Sequence, residues 1–175
     1  MESSDLVIRF AADDDLKLLV ALGMTTCYEA YFELDPPKDL AEYCVWSFSE
    51  AQLKTELEDV NSTFLIAESG GRAVGYAKLR EGKKIECMAG KNAVEVQRIY
   101  ILEKLKGKRI GERLINRCFE IAKQRGFGVV WLGVWDKNTA AQAFYEKIGM
   151  TRAGWTDFSD GKNEFINMVF AKDIL

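Results

Sequence analysis

The apolar residues in the first part of the chain change their spacing several times, and each change predicts a new element. Leu6, Ile8 and Phe10 alternate along the chain, as in a strand. From Asp13, which is expected to cap a helix, apolar residues recur at helical spacing. The pair Pro36-Pro37 interrupts this helix, because proline cannot continue the hydrogen-bond pattern of a helix.

A second helix and a hairpin are predicted between that proline pair and residue 79. Residues 40–58 carry apolar side chains at helical spacing, with Phe48 near the middle. Residues 63–68 and 73–79 are apolar-rich and have the length of strands. Gly70-Gly71 separates these two runs, and such a pair favours the tight turn of a hairpin.

The middle of the chain predicts a strand, a helix and a further strand. Residues 94–102 form an apolar-rich run of strand length, and a helical pattern opens near Ile110 after a short basic loop. Gly126 stands where the end of this helix is expected. Residues 129–134 form a compact apolar run, which is typical of a strand buried on both faces.

One more helix and two strands complete the pattern. Asp136 and Asn138 can cap the helix. Its apolar side is predicted to carry Ala140, Phe144 and Ile148. Residues 151–158 and 165–171 then alternate as two strands around Asp160-Gly161. Strands and helices in this order indicate an α/β fold.

Composition narrows the class of protein. The chain has 175 residues, 48% apolar and 29% charged, as expected of one soluble globular domain over residues 1–175. A net charge of −3 argues against a nucleic-acid partner, since nucleic-acid-binding surfaces are usually basic. No apolar run has membrane-spanning length, and the acidic first residues do not resemble a signal peptide. We therefore expect a cytoplasmic protein with no membrane partner.

The chain contains no histidine, which restricts its chemistry. A Ser-His-Asp triad, a Cys-His pair and histidine metal ligands are excluded, and no metal site is expected. The four cysteines lack C-x-x-C spacing and are expected to be reduced structural thiols. Any proton transfer must therefore use carboxylates, tyrosine, cysteine, lysine or water.

A basic glycine turn precedes the helix that opens near Ile110. A helix that begins after such a turn offers unpaired backbone N–H groups and the positive end of its dipole to an anion. Basic side chains crowd the same turn: Lys104, Lys106, Lys108, Arg109 and Arg113. The turn is therefore expected to hold a pyrophosphate, although its spacing is neither that of a P-loop nor that of a dinucleotide-binding motif.

Two motifs resemble those of the GNAT N-acetyltransferase superfamily. Residues 106–111 resemble its [QR]-x-x-G-x-[GA] turn, with Lys106 in place of Gln or Arg and Arg109 in place of a glycine. Residues 136–150 match its D-x-N-x-x-A-x-x-F-Y-x-K-x-G-[FM] signature almost position by position. The resemblance implies the GNAT fold, a central mixed twisted sheet of about six to seven strands flanked by helices. It also implies acetyl-CoA as cosubstrate.

Shorter motifs resemble the bacterial PaiA-type spermidine/spermine N-acetyltransferases. Examples are Gly75-Tyr76-Ala77-Lys78, Gln97-Arg98-Ile99-Tyr100 and Phe158-Ser159-Asp160-Gly161. This resemblance implies transfer of an acetyl group to a polyamine by direct attack in a ternary complex. Another small amine or a protein amine as acceptor, and a CoA-binding regulatory protein with weak catalysis, remain alternatives. Pairing of strands near the C-terminus between two subunits would give a homodimer.

By resemblance, the Tyr145 hydroxyl is the general acid that protonates the sulfur of CoA, and the alternative is a packing role beside Phe144. Asn138 either caps its helix or binds the pantetheine arm, which the resemblance places along the backbone of residues 99–101. The full set of expected cofactor contacts is Ile99, Tyr100, Ile101, Lys106, Gly107, Lys108, Arg109, Ile110, Gly111, Glu112, Asn138, Tyr145 and Lys147.

Acidic residues are the main candidates for both the general base and the acceptor site. Glu95 is the leading candidate for the base, with Glu86 or a water chain as rivals and a solvated strand end as the alternative interpretation. Carboxylates are concentrated between Glu29 and Glu42, where they would attract a polycation or form an ordinary solvated face. The expected acceptor contacts are Tyr31, Glu33, Asp35 and Asp39.

Overall fold

A computed structural model describes residues 6–159 and 164–175. Its elements in chain order are β1 (Leu6–Phe10), α1 (Leu16–Tyr31), α2 (Pro37–Ser47), α3 (Glu50–Glu58), β2 (Ser62–Ser69), β3 (Arg72–Arg80), β4 (Ala93–Ile101), α4 (Ile110–Gln124), β5 (Val129–Trp135), α5 (Thr139–Lys147), β6 (Thr151–Ser159) and β7 (Glu164–Asp173). The turn predicted at Asp160-Gly161 lies outside the described residues. Within the described ranges, no helix is long and apolar enough to cross a bilayer.

The described strands form one seven-stranded sheet in the order β1-β2-β3-β4-β5-β7-β6. Strands β4 and β5 are parallel, whereas β1 with β2, β5 with β7 and β6 with β7 are antiparallel. The predicted α/β fold with a mixed sheet flanked by helices is therefore confirmed. Gly70 and Gly71 both have positive φ angles, of 58° and 70°, as the predicted hairpin turn requires.

The single helix predicted over residues 40–58 is wrong, since two helices occupy this stretch. Helix α2 ends at Ser47, and Phe48 leaves the helical conformation with φ −119°. Ser49 then caps α3, where its hydroxyl oxygen accepts a hydrogen bond from the Gln52 backbone N–H at 3.3 Å. The break lets the Phe48 ring pack on the bare backbone of Gly23 in α1, where even a Cβ would lie 2.3 Å from the ring.

The expected cap at Asp13 is also wrong. Residues Asp13–Asp15 form a short 3₁₀ turn, and α1 begins after it. Asp15 is the residue that makes the local contacts, because its carboxylate accepts from the Ala12 N–H at 2.8 Å and from Arg9 at 2.7 Å. Hydrogen bonds from Arg9 hold the pKa of Asp15 below its ordinary value.

The described residues form two compact units. The first contains residues 6–79 together with Arg98–Cys118. Its buried core comes from three helices, two strands and the break between α2 and α3: Leu19, Leu22, Cys27, Leu40, Cys44, Phe48, Leu53, Phe64, Ile66 and Tyr76. Helices α1, α2 and α3 are therefore held by one apolar cluster.

The second unit contains Arg80–Gln97 and the described residues of 119–175. Its core includes Met88, Val129, Trp131, Val169 and Ala171. Strand β5 is buried along most of its length, as predicted, and it pairs with β4 on one side and β7 on the other.

The predicted apolar side of α5 is wrong. Ala140 is exposed, and Phe144 and Ile148 are only half-buried. The buried residues of this helix are Gln142 and Tyr145. The helix is therefore rotated from the orientation that apolar spacing alone predicts.

Candidate functional site

The basic turn before α4 has the backbone of an anion site. Gly107 has φ +79°, and a Cβ at this position would meet no atom within 4 Å. Arg113 N–H donates to the Arg109 carbonyl at 3.1 Å, so the hydrogen bonds of α4 begin at Arg109. The N–H groups of the next three residues, Ile110, Gly111 and Glu112, precede the first intrahelical donor and are available to an anion.

The side chains of this turn supply positive charge at the surface. Lys104, Lys106, Lys108 and Arg109 are exposed. Lys106 forms an ion pair with Glu103, three residues earlier. Arg113 differs from the expectation, because its guanidinium donates to the Leu6 carbonyl of β1 at 3.0 Å. An open glycine turn, a helix N-terminus and several cations together fit the pyrophosphate of CoA.

Arg109 has φ +60° and is the single non-glycine residue with positive φ in the described part of the chain. Side chains other than glycine lose stability in this left-handed region. In the GNAT motif that residues 106–111 resemble, this position is a glycine. The turn therefore keeps the positive φ angle that favours glycine, although the residue is an arginine.

The end of β4 lies beside a group of tyrosines. Residues 99–101 are half-buried, and the Tyr100 ring stacks on Tyr76 with centroids 5.9 Å apart. The hydroxyls of Tyr100 and Tyr31 share a hydrogen bond of 3.3 Å. Burial raises the pKa values of Tyr100 and Tyr76 well above their ordinary value, so both hydroxyls stay protonated at neutral pH.

The structure thus brings one expected acceptor residue, Tyr31, to one expected cofactor residue, Tyr100. The acidic residues expected to bind the acceptor follow Tyr31 along the chain. Glu33 and Asp39 are exposed and Asp35 is half-buried.

Tyr145 is one of the two buried residues of α5, with 8% of its surface exposed. Its ring lies 5.2 Å from the Phe144 ring and 6.1 Å from the Phe170 ring. Asn138 caps this helix, because its side-chain oxygen accepts from the Ala141 N–H at 3.1 Å. Contact of Asn138 with the pantetheine arm stays a prediction, and so does the acid role of Tyr145.

Glu95 is not at a solvated strand end. Only 8% of its surface is exposed, and its Oε2 accepts from Arg80 Nε at 2.6 Å. The Glu95 carboxylate is therefore joined to the Arg80 guanidinium of β3. Glu86 lies in the 3₁₀ turn Glu86–Met88 of the loop before β4.

Two buried polar side chains are not among the residues that the sequence predicts for the site. Gln142 is buried on the same face of α5 as Tyr145, and Arg98 is buried beneath the Phe48 ring in an ion pair with Glu56. A polar residue on the inner side of a capped helix, and an arginine inside an apolar strand, are the signals that would have identified them. Within the described ranges, no group of three or more acidic or cysteine side chains is placed to hold a metal ion.

Known proteins resemble this chain in sequence. A profile of the Acetyltransferase (GNAT) family matches residues 24–150. An uncharacterised N-acetyltransferase of Mycobacterium tuberculosis is 30% identical over 139 residues, which cover 79% of this chain and 85% of that protein. An uncharacterised N-acetyltransferase from the pepI 3′ region of Lactobacillus delbrueckii subsp. lactis is 27% identical over 141 residues, or 81% and 82% of the two chains.

Solved structures share the fold. The PaiA N-acetyltransferase of Thermoplasma acidophilum, in complex with coenzyme A, superposes with a TM-score of 0.79 at 20% identity, covering 96% of this chain and 98% of that one. The acetyltransferase YncA of Salmonella typhimurium, with acetyl-CoA, gives a TM-score of 0.65 at 18% identity, covering 97% and 94%. The family profile, the relatives and the fold agree, and the chain belongs to the Acetyltransferase (GNAT) family as an acetyl-CoA-dependent N-acetyltransferase.

Proposed function

We propose that the acceptor is a polyamine such as spermidine or spermine. The observation that carries this proposal is the set of acidic residues from the end of α1 to the first turn of α2, where Glu33 and Asp39 are exposed and Asp35 is half-buried. Carboxylates concentrated in one segment attract a polycation through their summed potential. The half-buried Tyr31 adjoins them, and its ring can pack on the methylene groups of such a ligand.

Acetyl-CoA supplies the acetyl thioester, and the residues of the chain bind it and move protons. The N-terminus of α4 and the turn at residues 106–109 bind the pyrophosphate. The backbone of residues 99–101 and Asn138 hold the pantetheine arm, and Lys147 adds a cofactor contact. Tyr145 donates its hydroxyl proton to the leaving sulfur, a task suited to a phenol because its ordinary pKa is close to that of a thiol.

Either Glu95, whose Oε2 accepts from Arg80 Nε at 2.6 Å, or a water chain takes the proton from the acceptor ammonium. Replacement of Glu95 by Gln distinguishes the two routes. A base at Glu95 predicts a loss of kcat of about 10²-fold or more, whereas a water route predicts a much smaller loss.

The acceptor proposal is tested by CoA thiol release with spermidine, spermine, a lysine peptide and a simple monoamine. The matched variant replaces Glu33 by Gln and Asp35 and Asp39 by Asn. We expect KM for spermidine to rise by about tenfold, because three unit charges are removed from the acceptor segment, while KM for acetyl-CoA stays unchanged. Glu50 is an exposed acid on α3, and the control variant Glu50→Gln should leave KM for spermidine unchanged.

Turnover with the monoamine or the peptide but not with polyamines would overturn the acceptor proposal and leave the acetyltransferase activity intact.

The proposed general acid is tested separately by the Tyr145→Phe variant. Loss of the phenolic proton is expected to lower kcat by about 10²-fold without changing the affinity for CoA, as measured by titration calorimetry. An unchanged kcat would overturn the acid role.

A further inference from the structure

Gln142 has an unusual environment for an amide side chain. Only 7% of its surface is exposed, and it shares the buried face of α5 with Tyr145, three residues further on. Residues three apart on a helix are neighbours on its surface, so the position of one side chain constrains that of the other.

The amide of Gln142 makes hydrogen bonds with both of its polar atoms. Its Nε2 donates to the Asp136 carbonyl at 2.9 Å and to the Trp135 carbonyl at 3.3 Å. Its Oε1 accepts from Arg152 Nη2 at 3.2 Å. A carbonyl only accepts and a guanidinium only donates, so these partners permit a single orientation of the amide.

Arg152 extends the connection from Gln142 to Tyr145 by a second route. Its guanidinium lies over the Phe170 ring at 5.8 Å, and that ring packs against Tyr145 at 6.1 Å. Tyr145 therefore lies on the helix whose Gln142 is bound to the end of β5. Its ring also contacts the Phe170 ring, over which the Arg152 guanidinium lies.

We propose that Gln142 is a positioning residue that fixes the rotation of α5 and thereby the location of the Tyr145 hydroxyl. The proposal rests on the acid role of Tyr145 proposed above. An apolar residue would satisfy burial at this position equally well, but it could not bind the two carbonyls where β5 ends. Proton transfer depends steeply on geometry, so a small rotation of α5 lowers the rate while the rest of the site is preserved.

The test is a double-mutant cycle in acetyl transfer with Gln142→Met and Tyr145→Phe. Methionine has nearly the length of glutamine and no amide, so it removes the three hydrogen bonds with little change in volume. We expect Gln142→Met to lower kcat by about ten- to hundredfold, with KM for acetyl-CoA within about twofold of the wild type. In the Tyr145→Phe background the same change is expected to alter kcat by less than about twofold, because no hydroxyl remains to be positioned.

Two further variants sharpen the kinetic test. Gln142→Glu keeps an acceptor for Arg152 but turns oxygens towards the two carbonyls, so it should lose as much rate as Gln142→Met. Gln124 is an exposed glutamine on α4, and the control variant Gln124→Leu should leave kcat unchanged. A wild-type rate for either Gln142 variant, or equal losses in the wild-type and Tyr145→Phe backgrounds, would overturn the proposal.

A spectroscopic readout separates this proposal from the acid role itself. The chain has six tyrosines, so 3-fluorotyrosine labelling gives six fluorine resonances, and Tyr145→Phe identifies the one that disappears. Gln142→Met and Gln142→Glu are both expected to shift or broaden this resonance and to leave that of Tyr28 unchanged. An unshifted Tyr145 resonance overturns the positioning role whatever the turnover. A wild-type kcat for Tyr145→Phe overturns the acid role, and with it the catalytic purpose of Gln142.

Discussion

Glu56 on α3 and Arg98 on β4 form a buried ion pair. Nη1 of Arg98 lies 2.5 Å from Oε2 of Glu56, and each side chain is 9% exposed. Lys78 on β3 reaches the same carboxylate oxygen at 2.9 Å, and Gln52 donates to the other oxygen at 2.8 Å. One carboxylate therefore ties α3 to two strands of the first unit.

Replacement of Glu56 by Gln should lower the free energy of unfolding by about 3 kcal/mol at neutral pH, because two buried cations then lose the carboxylate they share. Glu58→Gln is a control on the same helix, since the pair of Glu58 with Lys54 is 64% exposed on both sides. That change should cost less than about 1 kcal/mol. Urea denaturation measures both, and equal losses would contradict the stabilising role of the buried pair.

The contribution of Glu56 to the free energy of unfolding should also depend on pH. Burial alone would raise its pKa, but Arg98, Gln52 and Lys78 outweigh burial and hold the pKa below its ordinary value of 4.5. A lowered folded-state pKa means that the stabilisation is complete above the unfolded value and is lost as pH falls towards the folded value. The difference in urea midpoint between the wild type and Glu56→Gln should therefore shrink below about pH 4.5. A difference that stays constant down to about pH 3 would contradict this assignment.

Gly75 allows β3 to approach β4 closely. A Cβ at this position would lie 2.6 Å from the Tyr100 carbonyl oxygen, which is backbone, and 2.5 Å from Ile101 Cδ1. Gly75→Ala should therefore lower the free energy of unfolding by about 2–3 kcal/mol. Gly133→Ala on β5 is the control, because its nearest neighbour is the Asn167 side chain at 3.2 Å, which can move. Thermal unfolding would contradict the prediction if both alanines lowered Tm equally.

The cysteines should differ in reactivity. Burial raises the pKa of Cys118 to about 12, whereas Cys87 is half-buried. Alkylation requires the thiolate, and the raised pKa of Cys118 makes its thiolate scarce at about pH 8. Iodoacetamide should therefore label Cys87 in the native protein and Cys118 only after unfolding in urea, as followed by peptide mass spectrometry. Labelling of both thiols at one rate would show that Cys118 is accessible.

Elements with strong local signals were predictable from the sequence. The hairpin at Gly70-Gly71 and the helix capped by Asn138 depend on residues adjacent in the chain, and both are present. The ion pair of Glu56 with Arg98 joins residues 42 positions apart, and no local pattern specifies such a partner. The rotation of α5 is not predictable from local spacing for the same reason, since it depends on the carbonyls to which the Gln142 amide donates.

The break between α2 and α3 is a different case, because its signal is local. Ser49 and Gln52 have the spacing of a helix-capping box, and Ser49 does cap α3. The apolar residues on both sides of the break have helical spacing, so periodicity alone predicts one continuous helix. A cap signal inside a periodic stretch therefore outweighs the periodicity when a large side chain such as Phe48 must turn into the core.

Arg109→Gly separates the backbone of the basic turn from its charge. Arginine at φ +60° is strained, so glycine should raise the free energy of unfolding by up to about 1 kcal/mol. The same change removes a cation beside the proposed pyrophosphate site, so we expect CoA to bind several-fold more weakly at low salt. The difference should diminish at high salt, because exposed charges are screened.

Arg109→Lys is the matched control for this prediction, since it keeps both the charge and the strained backbone. It should retain the CoA affinity and the stability of the wild type to within about twofold and about 0.5 kcal/mol. Titration calorimetry with CoA and urea denaturation measure the two effects independently. Tighter CoA binding by Arg109→Gly would mean that the Cβ of Arg109 obstructs the phosphate, and the turn would then bind through its backbone N–H groups despite the arginine.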